Sequence, residues 1–386
     1  MLAHRPVPLL LAASLGSGVP RGHSDISQDF GFLVAGFATS RRHGGKPSLR
    51  EPQHGAAFPS VQGSPEPVAE AGHVHGERSA CLLFAAARWQ GDPACPRCEV
   101  VGKHYFHNGR LQWRCKACRY VFSVTSGTVF AHHKLPLNLY LGALLLFSNS
   151  VKGIPALRLA RELNVQYKTA FVLVHKMREA MLIQRDESPL DGEVEMDGAY
   201  FNGHIRPANK KVNRIDRRKA KYQRPDKRVV ITLRSRGTKG CGGRRTLTFV
   251  ARSENQISVA KLARKYIAPG TTVFADEAPA YDVLSTHFVT RRINHQEEYR
   301  ADDGTNTNTA EGFFLRLRRM QYGVSHHFSS MYLDLYANEA AYREDNRRRA
   351  NGTIFAQNLT LCAATAPSRE FSGYWQGNHR VVEQLV

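Results

Sequence analysis

The chain of 386 residues carries 54 Lys and Arg against 33 Asp and Glu, a formal charge of +21 with a pI near 9.9. Its length allows two or three domains with at least one sizeable core. The charge excess points to a polyanionic partner, most commonly nucleic acid, with a generic basic surface as the other reading, and no apolar run approaches the ~20 residues of a membrane span.

Residues 1–78 are rich in Gly, Pro, Ser and His and follow neither helical nor strand periodicity. They read as a disordered extension or as upstream sequence from a misassigned start. The opening "MLAHRPVPLLLAASLGSG" has a short apolar stretch, but a secretory signal is rejected. Four of the seven cysteines fall in a metal-ligand spacing that suits a reducing, cytoplasmic compartment, while Cys81, Cys241 and Cys362 are scattered and suggest no disulfide framework.

Regular patterning begins at "ACLLFAAARW". In "CPRCEVVGKHYFHNGRLQWRCKAC", Cys95 and Cys98 form one C-x2-C pair and Cys115 and Cys118 another. Each pair can set two thiolates on one knuckle, with a hairpin between them turning at Asn108-Gly109. Four thiolates close a tetrahedral site, so the expected Zn2+ is structural. His104 and His107 are read as hairpin residues. A zinc-ribbon domain is expected over 79–130.

Residues 131–188 are expected to form a helix-turn-helix region. Leu157, Ala160 and Leu163 recur at helical spacing, "LNVQ" turns, and a second helix follows with Thr169, Phe171, Val172, Val174, His175 and Met177. That helix would present Gln166, Tyr167, Lys168 and Lys176 to a DNA groove. Two ordinary core-packing helices are the other reading.

From 189 to 350 the pattern is three strands ("EVEMDGAYFNG", "KRVVITLRSRG", "RRTLTFVARS"), a helix ("ISVAKLARKYI"), a strand passing into a helix ("TTVFADEAPAYDVL"), a strand ("FVTRRINH") and a helix from about Asn308. This order is that of a ribonuclease-H-like α/β fold with a mixed five-stranded sheet. In such a sheet Asp197 and Asp276 lie side by side and the last helix brings Glu311 near. Three carboxylates so gathered repel one another unless divalent cations sit between them, and Mg2+ (or Mn2+) suits such oxygen ligands in phosphoryl transfer. Glu195, Glu277 and Asp303 are other acids the same spacing allows. Arg318, seven residues beyond Glu311, returns to nearly the same face, and with Arg316 and Arg319 could meet DNA phosphates. Between the first two strands, "RPANKKVNRIDRRKAKYQRPDKR" is strongly basic, and Lys210, Lys211, Arg217 and Arg218 make it a candidate backbone track or a solvated loop. Residues 351–386 read as a C-terminal tail.

These stretches resemble bacterial insertion-sequence transposases of the IS-fifteen-ninety-five (ISXO-two-like) family, which join a zinc ribbon to a ribonuclease-H-like DDE domain. The resemblance rests on "CPRC", "CKAC", "FSVTSGTVF", "KGIPALRLARELNVQYKTAFVLVHKMREAM", "EMDGAYFNGH", "FADEAPAYDVL", "INHQEEY", "TNTNTAEGFFLRLRR" and "YREDNRR", and covers about residues 80–376. It implies that Asp197, Asp276 and Glu311 are the metal-binding catalytic acids. Asn308, one helical turn earlier, is the alternative third ligand or a neighbour. The family commonly has Lys where Arg318 stands, and Arg keeps phosphate binding but not a proton-transfer role. His326 and His327 also match a family feature.

The implied activity is DNA transposition: binding of an element's terminal inverted repeats, cleavage that frees a 3'-hydroxyl, and strand transfer into target double-stranded DNA. A homo-oligomer on DNA, associated with the bacterial nucleoid, is implied by analogy. A catalytically decayed DNA-binding protein and a hydrolytic nuclease are the competing readings.

Overall fold

The computed structural model describes residues 76–89, 91–203, 207–215, 222, 224–238, 242–293 and 306–386. The opening extension, and the stretches with Arg217, Arg218, Cys241 and Asp303, lie outside them.

A mixed five-stranded sheet positions the acids. Its strands are β4 (Glu193–Phe201), β5 (Arg228–Arg236), β6 (Gly243–Ala251), β7 (Thr272–Asp276) and β8 (Val289–Ile293), in the order β6-β5-β4-β7-β8. The first three form an antiparallel meander, while β7 joins β4 and β8 joins β7 in parallel. This is the ribonuclease-H-like arrangement expected from the element order. β5 is buried along its centre on both faces, which its unbroken "VVITL" run suits better than an alternating one would.

Alternation along β4 divides the core into two. Val194 and Met196 face a cluster built with Val259, Leu262 and Tyr266 of helix α5 (Gln256–Tyr266). Ala199 and Phe201 face the other side, against Phe313 and Leu317 of α6 (Asn308–Met320) and Ala337 and Ala341 of α7 (Leu333–Asp345). Helix α5 starts where the Asn255 side chain accepts the Ser258 N–H at 2.9 Å, a side-chain N-cap.

The preceding helices are α1 (Glu77–Arg88), α2 (Leu137–Asn149), α3 (Ala156–Leu163) and α4 (Tyr167–Ile183). Glu77 accepts from the peptide N–H of Leu137 at 2.8 Å and of Asn138 at 3.1 Å, placing a carboxylate on the positive end of α2. At the other end of α2, Arg343 donates to the carbonyl of Phe147 at 2.8 Å. Helix α3 stops at Asn164, which adopts a left-handed conformation (φ 52°) and starts the turn into α4. The buried side of α3 is Leu159, Ala160 and Leu163, and Leu157, read as a core position, is half-exposed instead. Arg178 of α4 lies buried against Glu339 of α7 at 2.6 Å, and Arg343 shares the same carboxylate.

Residues 351–386, read as a tail, contain helix α8 (Asn351–Ala364), with Phe355, Leu359 and Cys362 buried. Further on, Glu383 pairs with Arg228 at 2.6 Å and the N–H of Val386 reaches the carbonyl of Val250. These contacts tie the end of the chain to β5 and β6.

Candidate active site and metal centre

The cysteine module is a three-stranded antiparallel sheet of β1 (His104–His107), β2 (Gln112–Cys115) and β3 (Val121–Phe122). The hairpin is not the two-residue Asn-Gly turn its sequence suggests. His107 pairs with Gln112, so four residues form the loop, and the left-handed residue is Leu111 (φ 50°). His104 Nε2–H donates to the Pro93 carbonyl, and the His107 ring accepts the Arg110 N–H, which leaves both histidines outside the thiolate cluster.

The two knuckles repeat one backbone design. Glu99 N–H donates to the Cys95 carbonyl and Arg119 N–H to the Cys115 carbonyl, while Cys95 and Cys115 N–H groups donate to Val100 and Tyr120 carbonyls. Glu99 (φ 60°) and Arg119 (φ 59°) both take the left-handed conformation that turns the chain back. The four sulfurs of Cys95, Cys98, Cys115 and Cys118 lie within 4.8 Å of one another. The Cys118 N–H directed at the Cys115 sulfur lowers that thiol to about 6. An all-sulfur quartet with a preorganised thiolate suits structural Zn2+.

The acids come together through register. The parallel pairing of β4 with β7 runs from Glu193–Thr272 to Glu195–Phe274, and Asp197 and Asp276 each lie two residues beyond its last pair. Burial, and then the charges of Asp276, Glu254 and Glu311, push Asp197 up to about 7, against a 2.7 Å hydrogen bond from the Gly198 N–H. All three expected acids are therefore electrostatic neighbours, although they stand further apart than the sulfur quartet.

Helix α6 is clamped beside β4 by Glu195, a fully buried acid on the same strand face as Asp197. One oxygen accepts the Ala310 N–H at 2.8 Å and the other accepts from Arg236 at 2.8 Å. Arg236 also lies 3.5 Å over the Phe274 ring and donates to the Asn306 carbonyl. Buried Arg234 adds a bond to the Thr309 carbonyl and an ion pair with Glu344. The N-terminal turn that carries Asn308 and Glu311 is thereby fixed to β4 and β5. Sequence spacing raised Glu195 as a metal-facing acid; its arginine partner and its helix contact give it a structural position instead. Glu277 is exposed at the end of β7.

Charge compensation separates two kinds of acid. Glu195, Glu339, Glu344 and Asp334 each have arginine partners. Among the described residues, Asp197 and Asp276 have no ion-pair partner. Carboxylates that are drawn together and left without cations of the protein's own are a fitting oxygen donor set for a divalent ion.

Residues 189–345 match an ISXO2-like transposase domain, and residues 76–121 match a transposase zinc-ribbon domain. The two matched segments are similar to an ISXO2-like transposase domain and to a transposase zinc ribbon. It is 27% identical over 254 residues to an uncharacterized protein in transposable element ISH50 of Halobacterium salinarum, an alignment covering 63% of this chain and 82% of that relative. No solved structure matches it.

The expected DNA-facing residues fall into distinct settings. Tyr167 is half-exposed at the start of α4 beside Gln166, its N-cap residue, and the Lys168 ammonium lies 5.3 Å over the Trp375 ring. Lys176 differs: it is half-buried, and burial lowers its pKa. Beyond its first turn α4 packs against α3 and α7, with Leu173, Val174, His175, Met177 and Arg178 buried. Lys210 and Lys211 are exposed at a short 3-10 turn (Lys211–Asn213). Arg318 lies over the ring of Phe201, at the end of the strand that carries Asp197, and Arg319 is exposed. Arg316 is engaged by the buried Glu344. His326 and His327 are exposed after a π-helical segment (Gln321–Ser325).

Sequence reasoning missed one residue at this site and left the setting of another open. Glu195 was visible as an acid two positions before Asp197, but its arginine and helix partners were not. Glu254 lies in an unremarkable "SEN" loop, and no local pattern connects it with Asp197.

Proposed function

We propose that the protein is a DNA transposase that binds the terminal inverted repeats of an insertion sequence and catalyses divalent-metal-dependent cleavage and strand transfer. What supports this reading is that Asp197 and Asp276 each lie two residues beyond the last paired positions of neighbouring parallel strands, and that the charges of Asp276 and Glu311 both raise Asp197. Asp197, Asp276 and Glu311 would hold Mg2+ or Mn2+, with Asn308 beside them one turn earlier on α6. A bound divalent ion supplies charge for the attacking and leaving oxygens of an in-line displacement.

The chain's own groups do the remaining work. Clamping of α6 by Glu195, Arg236 and Arg234 keeps Glu311 in register with the strand acids. Arg318 and Arg319 neutralise phosphates that flank the scissile bond. In the first step a water oxygen attacks phosphorus at the element's end, the bond to the 3'-oxygen breaks, and the departing oxygen takes a proton to become a 3'-hydroxyl. In the second step that hydroxyl loses its proton as its oxygen attacks a target phosphodiester, displacing a target 3'-oxygen.

End recognition falls to the zinc ribbon (79–130) and helix-turn-helix (131–188), through Gln166, Tyr167 and Lys168 at the exposed start of α4, with Lys176 less accessible. Lys210 and Lys211, with Arg217 and Arg218, extend a basic track along the catalytic region (189–350). Two ends must be handled together, so a homo-oligomer on nucleoid DNA is the working assembly.

The test incubates the purified full chain and its Asp276→Asn variant with Mg2+ or Mn2+ and labelled DNA from the gene's own flanks. Nicking at the element boundary and branched joined products from the wild type alone support the proposal. Cutting without joined products identifies a hydrolytic nuclease. Binding of the ends by both proteins with no cutting identifies a catalytically decayed DNA-binding protein.

A further inference from the structure

Beyond α8 the chain returns to α4. The ring centres of Phe371 and His175 lie 5.3 Å apart, and those of Tyr374 and Phe171 lie 5.7 Å apart. Buried Arg380 anchors the same segment, donating to both oxygens of Asp334 at 2.6 and 2.7 Å and to the Met331 carbonyl at 2.7 Å.

Between these anchors "GYWQG" makes a single 3-10 turn (Tyr374–Gln376). Gly373 (φ 78°) and Gly377 (φ 92°) bracket it in the left-handed conformation that other residues adopt only with strain. Asn378 closes the loop: its side-chain amide donates to the carbonyls of Arg369 at 2.9 Å and Ser372 at 2.6 Å, and its N–H donates to the Gly373 carbonyl at 3.1 Å. So braced, the loop holds Trp375 in water, 57% exposed. Of the other two tryptophans, Trp113 is buried and Trp89 is half-buried against it.

The surroundings of Trp375 are basic. The Lys168 ammonium lies 5.3 Å over its ring, and Tyr167, the residue before, is 53% exposed. Arg369, at the base of the loop, is exposed. The nearby acids are already compensated. From Thr365 to Val382 the single acid is Glu370, which is ion-paired with Arg380 at 3.1 Å, and Glu162 on α3 is ion-paired with Arg158 at 2.7 Å. A purely apolar partner would leave Lys168 without a counter-charge. A DNA strand supplies phosphate for the ammonium together with sugar and base surface for the two rings.

We propose that the "GYWQG" loop is a second DNA-contacting element, and that Trp375 and Tyr167, with Lys168 between them, form one composite surface for duplex DNA of the element's ends. This inference rests on the reading of the exposed start of α4 as a DNA-binding surface. It gives the C-terminal segment a part in recognition: Lys168 meets phosphate, and Trp375 adds ring contact and an indole N–H donor.

The test measures binding of the full chain to a labelled duplex from the gene's own flanks by fluorescence anisotropy over a salt series, for wild type, Trp375→Ala, Lys168→Ala and the double variant. Trp375 is exposed, so Trp375→Ala should melt as the wild type does. The expected result is a loss of about tenfold in affinity for Trp375→Ala with an unchanged salt slope. Lys168→Ala should reduce that slope by about one, and the double variant should lose less than the product of the two single losses. Bound duplex should also protect the wild-type tryptophan emission from acrylamide, and this protection should vanish in Trp375→Phe. If Lys168→Ala weakens binding while Trp375→Ala does not, the loop is no part of the surface and the α4 reading survives without it. If neither weakens binding, the α4 reading fails and this inference with it. If Trp375→Ala leaves DNA binding intact but dissociates an oligomer in sedimentation, the loop is a contact between copies of the chain and the inference is overturned.

Discussion

The cysteine module and the acid centre assemble their ligands in opposite ways. The four thiolates come from residues 95–118, on two knuckles with the same hydrogen-bond pattern, so local backbone geometry alone brings each pair together. The carboxylates come from residues 197 to 311, on two strands and a helix with a loop acid beside them, and long-range contacts align them. One site needs only contacts among residues 95–118; the other depends on the sheet and its flanking helices. The difference predicts that damage to one should leave the other standing.

The largest expected effect is at the zinc ribbon. Cys98→Ser should abolish stoichiometric zinc, measured by metal analysis, because structural zinc binding is worth ~10 kcal/mol or more to such a module. Far-ultraviolet dichroism should show the main sheet intact; loss of the whole cooperative transition would break the contrast. Next is Asp276→Asn, which should lower cleavage by ~10³-fold, equivalent to about 4 kcal/mol, with zinc content and melting temperature near those of wild type.

Glu195→Gln should cost on the order of 3 kcal/mol, since it removes one charge from a buried pair with Arg236. Chemical denaturation would read the stability, and cleavage should fall as well because α6 loses its anchor to β4. Retained stability with normal cleavage would show that the clamp does not position Glu311.

A smaller effect is pH dependence in metal-free protein. Asp197 is raised to about 7 in the fold from an unfolded value near 3.9. The folded state therefore binds the extra proton between these values, and stability falls as pH rises from about 4 to about 7, by about 1.4 kcal/mol for each unit of pH. Asp197→Asn should flatten this slope in denaturation curves taken without Mg2+. Smallest is Arg318→Ala, which should reduce the salt dependence of DNA binding by about one counterion in a filter-binding titration.

The cysteine quartet of the ribbon was legible because a C-x2-C pair confines two thiolates to one turn whatever lies around it. Its hairpin loop was less legible: Asn108-Gly109 is a strong two-residue turn signal, yet pairing of His107 with Gln112 forces a longer loop with Leu111 left-handed. Asp197, Asp276 and Glu311 were expected from the order of elements, which did not reveal how α6 is held. Leu157 misled because its spacing fits a helical stripe, but the side of α3 that packs runs through Leu159 and Leu163. Lys176 was read as groove-facing from its place on a second helix, and only the packing of that helix shows it to be half-buried.

By itself the amino-acid sequence determined the zinc knuckles, the strand and helix order, and the ribonuclease-H-like topology, all of which follow from local spacing and hydrophobic period. Tertiary structure decided which carboxylates are neutralised by arginine and which, among the described residues, have no ion-pair partner. That choice separates Glu195 from Asp197, two positions apart on one strand face, and it brings in Glu254 from a loop with no motif. The physical reason is that compensation depends on what lies within a few ångströms in space, and residues as distant along the chain as Glu195 and Ala310 become neighbours only when α6 docks on β4.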